Sequence, residues 1–186
     1  MRREREIKGG SALELKNRTG FIYVRTQGGT TRRIFDQLRG QDWVVGVWTV
    51  TGDPDLIVWV NAKHYDDMYG WSQTIKTWNG VEFTNSHFVH NGYVNNFDAM
   101  SDPNGVWVRL RTDRMDTVPT QLKDYNDRIG CWVNMPGEYD FMIWFTGTDT
   151  RDALDNVLRF TENRNWRSHT HVPCQAYLNP NYRKGF

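Results

Sequence analysis

Gly52-Asp53-Pro54-Asp55-Leu56-Ile57-Val58-Trp59 and Gly137-Glu138-Tyr139-Asp140-Phe141-Met142-Ile143-Trp144 are two versions of one segment, 85 residues apart. Each opens on a glycine suited to a tight turn, passes an acidic residue, and runs into an apolar strand. Within Leu56–Val60, Leu56, Val58 and Val60 point one way while Ile57 and Trp59 point the other. In the second version Phe141, Ile143 and Phe145 oppose Met142 and Trp144. Both faces of both strands are apolar, so both must be covered. Helices can cover one face, and a second sheet, from within the chain or from another chain, must cover the other.

The repeat extends outward from this segment. Gly46-Val47-Trp48 aligns with Gly130-Cys131-Trp132, Leu38 with Leu122, and Asp67 with Asp152. Further on, His87, Tyr93 and Asn95 align with His171, Tyr177 and Asn179. The offset shifts between 84 and 85, with single-residue gaps of the kind turns absorb. On this alignment Trp48, Trp59, Trp132 and Trp144 are repeat-related residues that line the space between two sheets or a ligand box.

The elements recur in the same order. Phe21–Thr26 and Val106–Thr112 are rich in strand formers. Ile34, Phe35 and Leu38 have helical spacing, as do Val118, Leu122 and Tyr125. Trp43–Val50 and Arg128–Met135 read as second strands. After the third strands, Tyr65, Met68, Tyr69, Ser72 and Ile75 mark a helix face. Ala153, Leu154, Val157 and Leu158 do so behind a Thr148 or Asp149 N-cap. Val81–Val89 and Trp166–Cys174 are last strands. The expected class is α+β: tandem ferredoxin-like β-α-β-β-α-β repeats with antiparallel sheets packed as an α/β barrel. The expected divisions are a basic arm over 1–19, a first repeat over 20–95, a linker over 96–104, a second repeat over 105–178 and a tail over 179–186.

Bulk properties narrow the function. A net charge of +1, from 23 basic and 22 acidic side chains, argues against direct nucleic-acid binding. The arm, with Arg2, Arg3, Arg5 and Lys8, reads as a solvated terminus or a contact for an acidic partner. No apolar run approaches the roughly 20 residues of a membrane helix, and no secretory h-region stands out. Two cysteines give no disulfide framework, so a cytoplasmic protein with reduced thiols is expected. Nine Trp, eight Tyr and nine Phe require a bulky core, an interface or a pocket for a flat ligand.

Phe21-Ile22-Tyr23-Val24 followed by a helix, then Val47-Trp48-Thr49-Val50-Thr51-Gly52-Asp53-Pro54-Asp55 and its apolar strand, resembles the ligand-binding domain of Lrp/AsnC-type regulators. The copy from Gly105 is more divergent. About 20 residues precede the first strand, too few for the family's helix-turn-helix. The resemblance therefore implies a small-molecule-binding regulatory or accessory protein without a DNA-binding domain, leaning away from catalysis, and working as a homo-oligomer or with a partner protein. It also implies an effector near the turn between the second and third strands. The corresponding residues are Thr51, Gly52, Asp53 and Asp55, with Gly137, Glu138 and Asp140. A glycine turn can offer N–H groups to a carboxylate, and a nearby acid can take an ammonium. The two glycines serve equally well as plain turn residues, and Asp55 and Asp140 as plain caps.

The histidines offer rival chemistry. His87 and His171 occupy equivalent positions, and His169 shares a strand face with His171. They supply imidazoles for a metal or haem, but spacing fixes no carboxylate or Cys beside them. His64 begins a helix. No metal or cofactor is expected as the first reading. The alternative is a tetrapyrrole-binding enzyme, a haem protein or one resembling sirohaem decarboxylases, with Arg109 and Arg111 suited to carboxylates. A third reading is a structural subunit of a larger enzyme assembly, with Tyr182, Arg183, Lys184 and Phe186 as a docking tail or a frayed end.

Overall fold

The computed structural model describes residues 13–16, 19–162 and 164–183. The basic arm up to residue 12, and Lys184 and Phe186 of the tail, lie outside the described residues. The first repeat runs β2 (Gly20–Thr26), α1 (Thr31–Leu38), β3 (Val44–Val50), β4 (Leu56–Val60), α2 (Tyr65–Lys76) and β5 (Val81–Phe88), after a short β1 (Leu13–Lys16). The second runs β7 (Val106–Arg111), α3 (Val118–Leu122), β8 (Ile129–Asn134), β9 (Phe141–Phe145), α4 (Thr150–Thr161) and β10 (Arg167–His171). Each copy is followed by a strand the sequence reading did not separate: β6 (Asn91–Val94) and β11 (Pro173–Leu178).

All the strand pairs are antiparallel, and they form two sheets. One has the order β11-β3-β4-β2-β5 and the other β1-β6-β8-β9-β7-β10. Four adjacent strands of each, β3-β4-β2-β5 and β8-β9-β7-β10, belong to the expected β-α-β-β-α-β unit, with β5 and β10 at the sheet edges. The fifth strand is exchanged. β6 leaves the first copy to pair with β8 of the second, and β11 leaves the second to pair with β3 of the first. The expected last strand Trp166–Cys174 is thus two strands, because the chain turns from one sheet to the other at Val172. The 96–104 segment is also more than a connection. Its Met100 is fully buried, and the carbonyls of Ala99 and Met100 accept the indole N–H groups of Trp144 and Trp48 at 3.0 and 2.7 Å.

Three apolar clusters follow from the alternation along the strands. Ile22, Val24, Leu56, Val58 and Val60 face α1 and α2. Val106, Val108, Phe141, Ile143 and Phe145 face α3 and α4. Between the sheets lie Phe21, Tyr23, Ile57, Trp59, Trp107, Met142 and Trp144. The layers are helix, sheet, sheet, helix, and both faces of the third strands are covered as their pattern requires.

One expected interior residue is misplaced. Trp132 is half-buried on the helix side, and Trp107 takes the fourth interior tryptophan position beside Trp48, Trp59 and Trp144. The strand pairing gives the reason. Gly46 lies opposite Trp59 and Cys131 opposite Trp144, so Gly46 corresponds to Cys131 rather than Gly130. Both strands carry an irregularity just before this point, between Val44 and Gly46 and between Ile129 and Cys131. The pairing keeps an offset of 85 on both sides of these irregularities, so an alignment at 84 assigns every side chain of the strand to the opposite face.

Candidate ligand-binding site

The β3–β4 turn and the β8–β9 turn lie at the same end of the molecule, where residues of both line one cleft. Each turn rests on the last strand of the opposite copy. The Thr51 amide donates to the Val172 carbonyl at 3.0 Å, and the His171 ring lies against the Thr51 carbonyl, Nδ1 to O at 3.3 Å. On the other side His87 packs against the second turn, where a Cβ on Gly137 would come within 3.2 Å of the His87 Nδ1. His87 and His171 stand opposite Phe21 and Trp107 in their sheets, so the approximate two-fold axis relates them.

Between the turns opens a cleft of about 360 Å³, lined among others by Tyr23, Asp53, Phe83, Arg109, Glu138 and Tyr139. The lining residues come in related pairs. Tyr23 corresponds to Arg109, since they stand opposite Ile57 and Met142 in β4 and β9. Asp53 corresponds to Glu138, Pro54 to Tyr139, and Asn85 to His169. The cleft therefore lies on the pseudo-two-fold axis, but its two halves differ chemically.

Arg109 dominates it. The residue is only 7% exposed, so its charge has lost most of its water. Its Nε–H donates to the Nε2 of His171 at 2.9 Å, and Nη2 donates to the Asp53 carbonyl at 2.9 Å. The guanidinium stands over the rings of Tyr23 and Tyr139, 5.1 and 4.6 Å from their centroids, a cation–π arrangement on both sides. Among the described residues no carboxylate lies within ion-pair distance of it. The Asp53 carboxylate is taken by Arg25, whose Nε reaches Oδ1 at 3.3 Å and whose Nη2 reaches Oδ2.

The neighbours are tuned by this cation. The His171 pKa falls to about 4, first because the ring is buried and then because Arg109 is beside it. A neutral ring with its proton on Nδ1 satisfies both contacts: Nε2 accepts from Arg109 while Nδ1–H donates to Thr51. His87 is lowered for the same two reasons in the same order. Burial also pushes the Tyr23 hydroxyl well above its ordinary range. His169 stacks on His171, ring centroids 5.0 Å apart, and its Nδ1 lies 3.4 Å from the Tyr139 hydroxyl.

The seven turn residues named from the sequence divide into three groups. Asp53 and Glu138 line the cleft. Thr51, Gly52 and Gly137 shape the turns; Gly52 has φ +87°, a left-handed conformation that favours glycine. Asp55 and Asp140 sit behind the turns. Asp55 accepts from the Thr26 amide at 2.7 Å and Asp140 from the Thr112 amide at 2.8 Å, tying each turn to the end of β2 or β7. Sequence reasoning left Arg109 out of this set. The signal was an arginine following Trp107 on the inward face of a strand whose other face is Val106, Val108 and Leu110.

The histidines fit a metal or haem poorly. Both ring nitrogens of His171 are engaged, and among the described residues no group of three His, Cys, Asp or Glu could hold an ion. The space between the sheets is filled by Trp48, Trp59, Trp107 and Trp144, each with no exposed surface, which leaves no slot for a macrocycle there. No described helix is long and apolar enough to cross a membrane.

Comparison with known proteins bears on the same region. No curated protein sequence matches the chain. Among solved structures, the siroheme decarboxylase NirDL superposes on 91% of this chain and 77% of its own, with TM-score 0.64 and 5% identity. A heme-binding protein from Thermus thermophilus covers 89% of this chain and 93% of its own, with TM-score 0.54 and 8% identity. At such identities these likenesses establish the shared fold alone. A further Thermus thermophilus protein, 26% identical, covers 38% of this chain and 90% of its own at TM-score 0.36. Residues 19–97, the first repeat and the start of its connection, match the Lrp/AsnC ligand binding domain family.

Proposed function

We propose that this chain is a small-molecule-binding protein of regulatory or accessory type, whose ligand occupies the cleft between the two copies. The observation that carries the reading is the desolvated Arg109 guanidinium at a cleft wall with no carboxylate partner among the described residues. A buried charge is costly unless something completes its coordination. The match of residues 19–97 to a ligand-binding domain supports the same assignment. Asp53 and Glu138 contribute to the cleft directly, while Thr51, Gly52, Gly137, Asp55 and Asp140 hold the turns that form it.

The names of structurally similar proteins suggest a second ligand class, since NirDL has been crystallised with an iron-uroporphyrin III analogue. The geometry favours something smaller. The cleft lies near the lower end of the roughly 300–1,000 Å³ usual for small-molecule pockets. Both ring nitrogens of His171 are engaged with neighbours, and the interior is packed.

Native mass spectrometry of the purified chain, with its absorption spectrum, tests the assignment. The expected result is a colourless protein that releases a small non-covalent molecule on denaturation. A Soret band at one tetrapyrrole per chain would overturn it in favour of the tetrapyrrole reading. An empty chain recovered only in a stable complex with an enzyme subunit would overturn it in favour of a structural role.

A further inference from the structure

Duplication has made the cleft asymmetric at the place where asymmetry matters most. Two identical copies would put the same side chain on both sides of the axis. Here one side carries Tyr23 and the other Arg109, and the tyrosine ring lies against the guanidinium. The Pro54 and Tyr139 pair repeats the theme, because only Tyr139 supplies a second ring over the same cation. The cleft thus holds one buried cation, with its aromatic supports on fixed sides.

The donor inventory of Arg109 is incomplete. A guanidinium has five N–H groups. Nε and one N–H of Nη2 are used, and Nη1 has no acceptor among the described residues. Yet Nη1 is not among the buried polar atoms that lack a partner, so it reaches the accessible space of the cleft. The nearest charged groups do not compensate it: Asp53 is forked onto Arg25, and Glu138 is exposed on the rim. Planar N–H donors facing a pocket match a carboxylate edge on. Among the polar groups of the lining, Tyr139 and Phe83 supply aromatic rings, and Phe83 is 51% exposed despite its size.

Resting on the reading of the cleft as a ligand site, we infer that it takes one small, flat carboxylate per chain, with its anionic group on Arg109 and its ring or planar body against Tyr139 and Phe83. The occupant binds in one orientation, since the residue facing Arg109 across the axis is Tyr23.

Benzoate serves as the probe, benzamide as its neutral isostere and acetate as the anion without a ring. Titrations are followed in ¹H–¹⁵N spectra, where the Arg109 Nε–H signal is identified by its loss in Arg109→Lys. The expected result is saturable binding of benzoate at one site per chain, shifting the Arg109 Nε–H and the amides of Tyr139 and His169. Benzamide should bind at least tenfold more weakly. Phe83→Ala, at an exposed position, should weaken benzoate several-fold and leave acetate unchanged. The assignment uses Arg109→Lys only if its amide spectrum otherwise overlays the wild type; the amides of Tyr139 and His169 and the comparison of wild type with Phe83→Ala carry the test in either case. Equal binding of benzoate and benzamide, two sites per chain, or an unshifted Arg109 signal would overturn the inference. If benzamide shifts these same amides as strongly as benzoate, the carboxylate class fails while the cleft stands. If neither probe nor any co-purified molecule perturbs them, the cleft itself fails as the site.

Discussion

Among single residues, the turn carboxylates separate by what they touch. Asp55 and Asp140 satisfy backbone N–H groups at the ends of β2 and β7. Replacing either with Ala should destabilise the fold by about 1–3 kcal/mol, the cost of leaving a partly buried donor unmet. Asp53→Ala removes only a surface ion pair with Arg25, so its change should stay within about 1 kcal/mol. Urea denaturation of the three variants checks the ordering, and equal losses would contradict it. His171 makes a second claim, about pH. Its folded pKa of about 4 lies below the ordinary histidine value of 6.5, so the folded state prefers the neutral ring. That contribution is complete above pH 6.5 and is lost as pH falls through 4. Melting temperature should drop across this window, and His171→Gln should flatten the slope. A wild-type profile as flat as the variant's would exclude His171 as the cause. None of these partners was visible in the sequence, because the contacts join residues far apart in the chain, as with His171 and Thr51.

Among the elements, the third strands were legible because their apolar residues occupy both faces without interruption. Nothing but two packed layers covers a strand of this kind. The second strands were less so. Gly46-Val47-Trp48 and Gly130-Cys131-Trp132 align by identity, yet pairing shifts the correspondence by one and turns Trp132 toward the helices. Matching letters suggest an offset of 84 there, whereas the ladder of both strands keeps 85. The register has an energetic consequence. Trp48→Ala opens a hole in the inter-sheet core and should cost about 3–5 kcal/mol. Trp132→Ala, at a half-buried site, should cost clearly less by the same denaturation measurement. Similar losses would return Trp132 to the interior. The exchanged strands β6 and β11 were hidden for a different reason. Asn91–Val94 is short, and Pro173–Leu178 follows almost directly on β10, so neither has a periodicity of its own.

In the whole molecule, the two β-α-β-β-α-β units are interlocked rather than strung together. Each gives a strand to the other's sheet, and the connection between them caps two interior tryptophans. Residues 19–97 produced alone would expose Phe21, Trp48 and Trp59, which lie in the cluster between the sheets. Such a fragment should elute from size exclusion as a dimer or larger species. A stable monomer would show that the inner face does not need its partner layer. The two β-α-β-β-α-β units and their antiparallel sheets could be read from the sequence. The cleft could not, because it depends on the packing of one sheet on the other to bring Tyr23 of β2 against Arg109 of β7.

Everything proposed for this chain turns on where the ligand sits, between the copies and on their approximate axis. A crystal structure of the chain with its co-purified molecule or with benzoate decides the matter. The expected result is density in the cleft walled by Tyr23, Arg109 and Tyr139, with an anionic group in contact with the free edge of the guanidinium. Density confined to the outer helix faces, to the groove beside His87, His90 and Pro136, or to a contact between chains would contradict it.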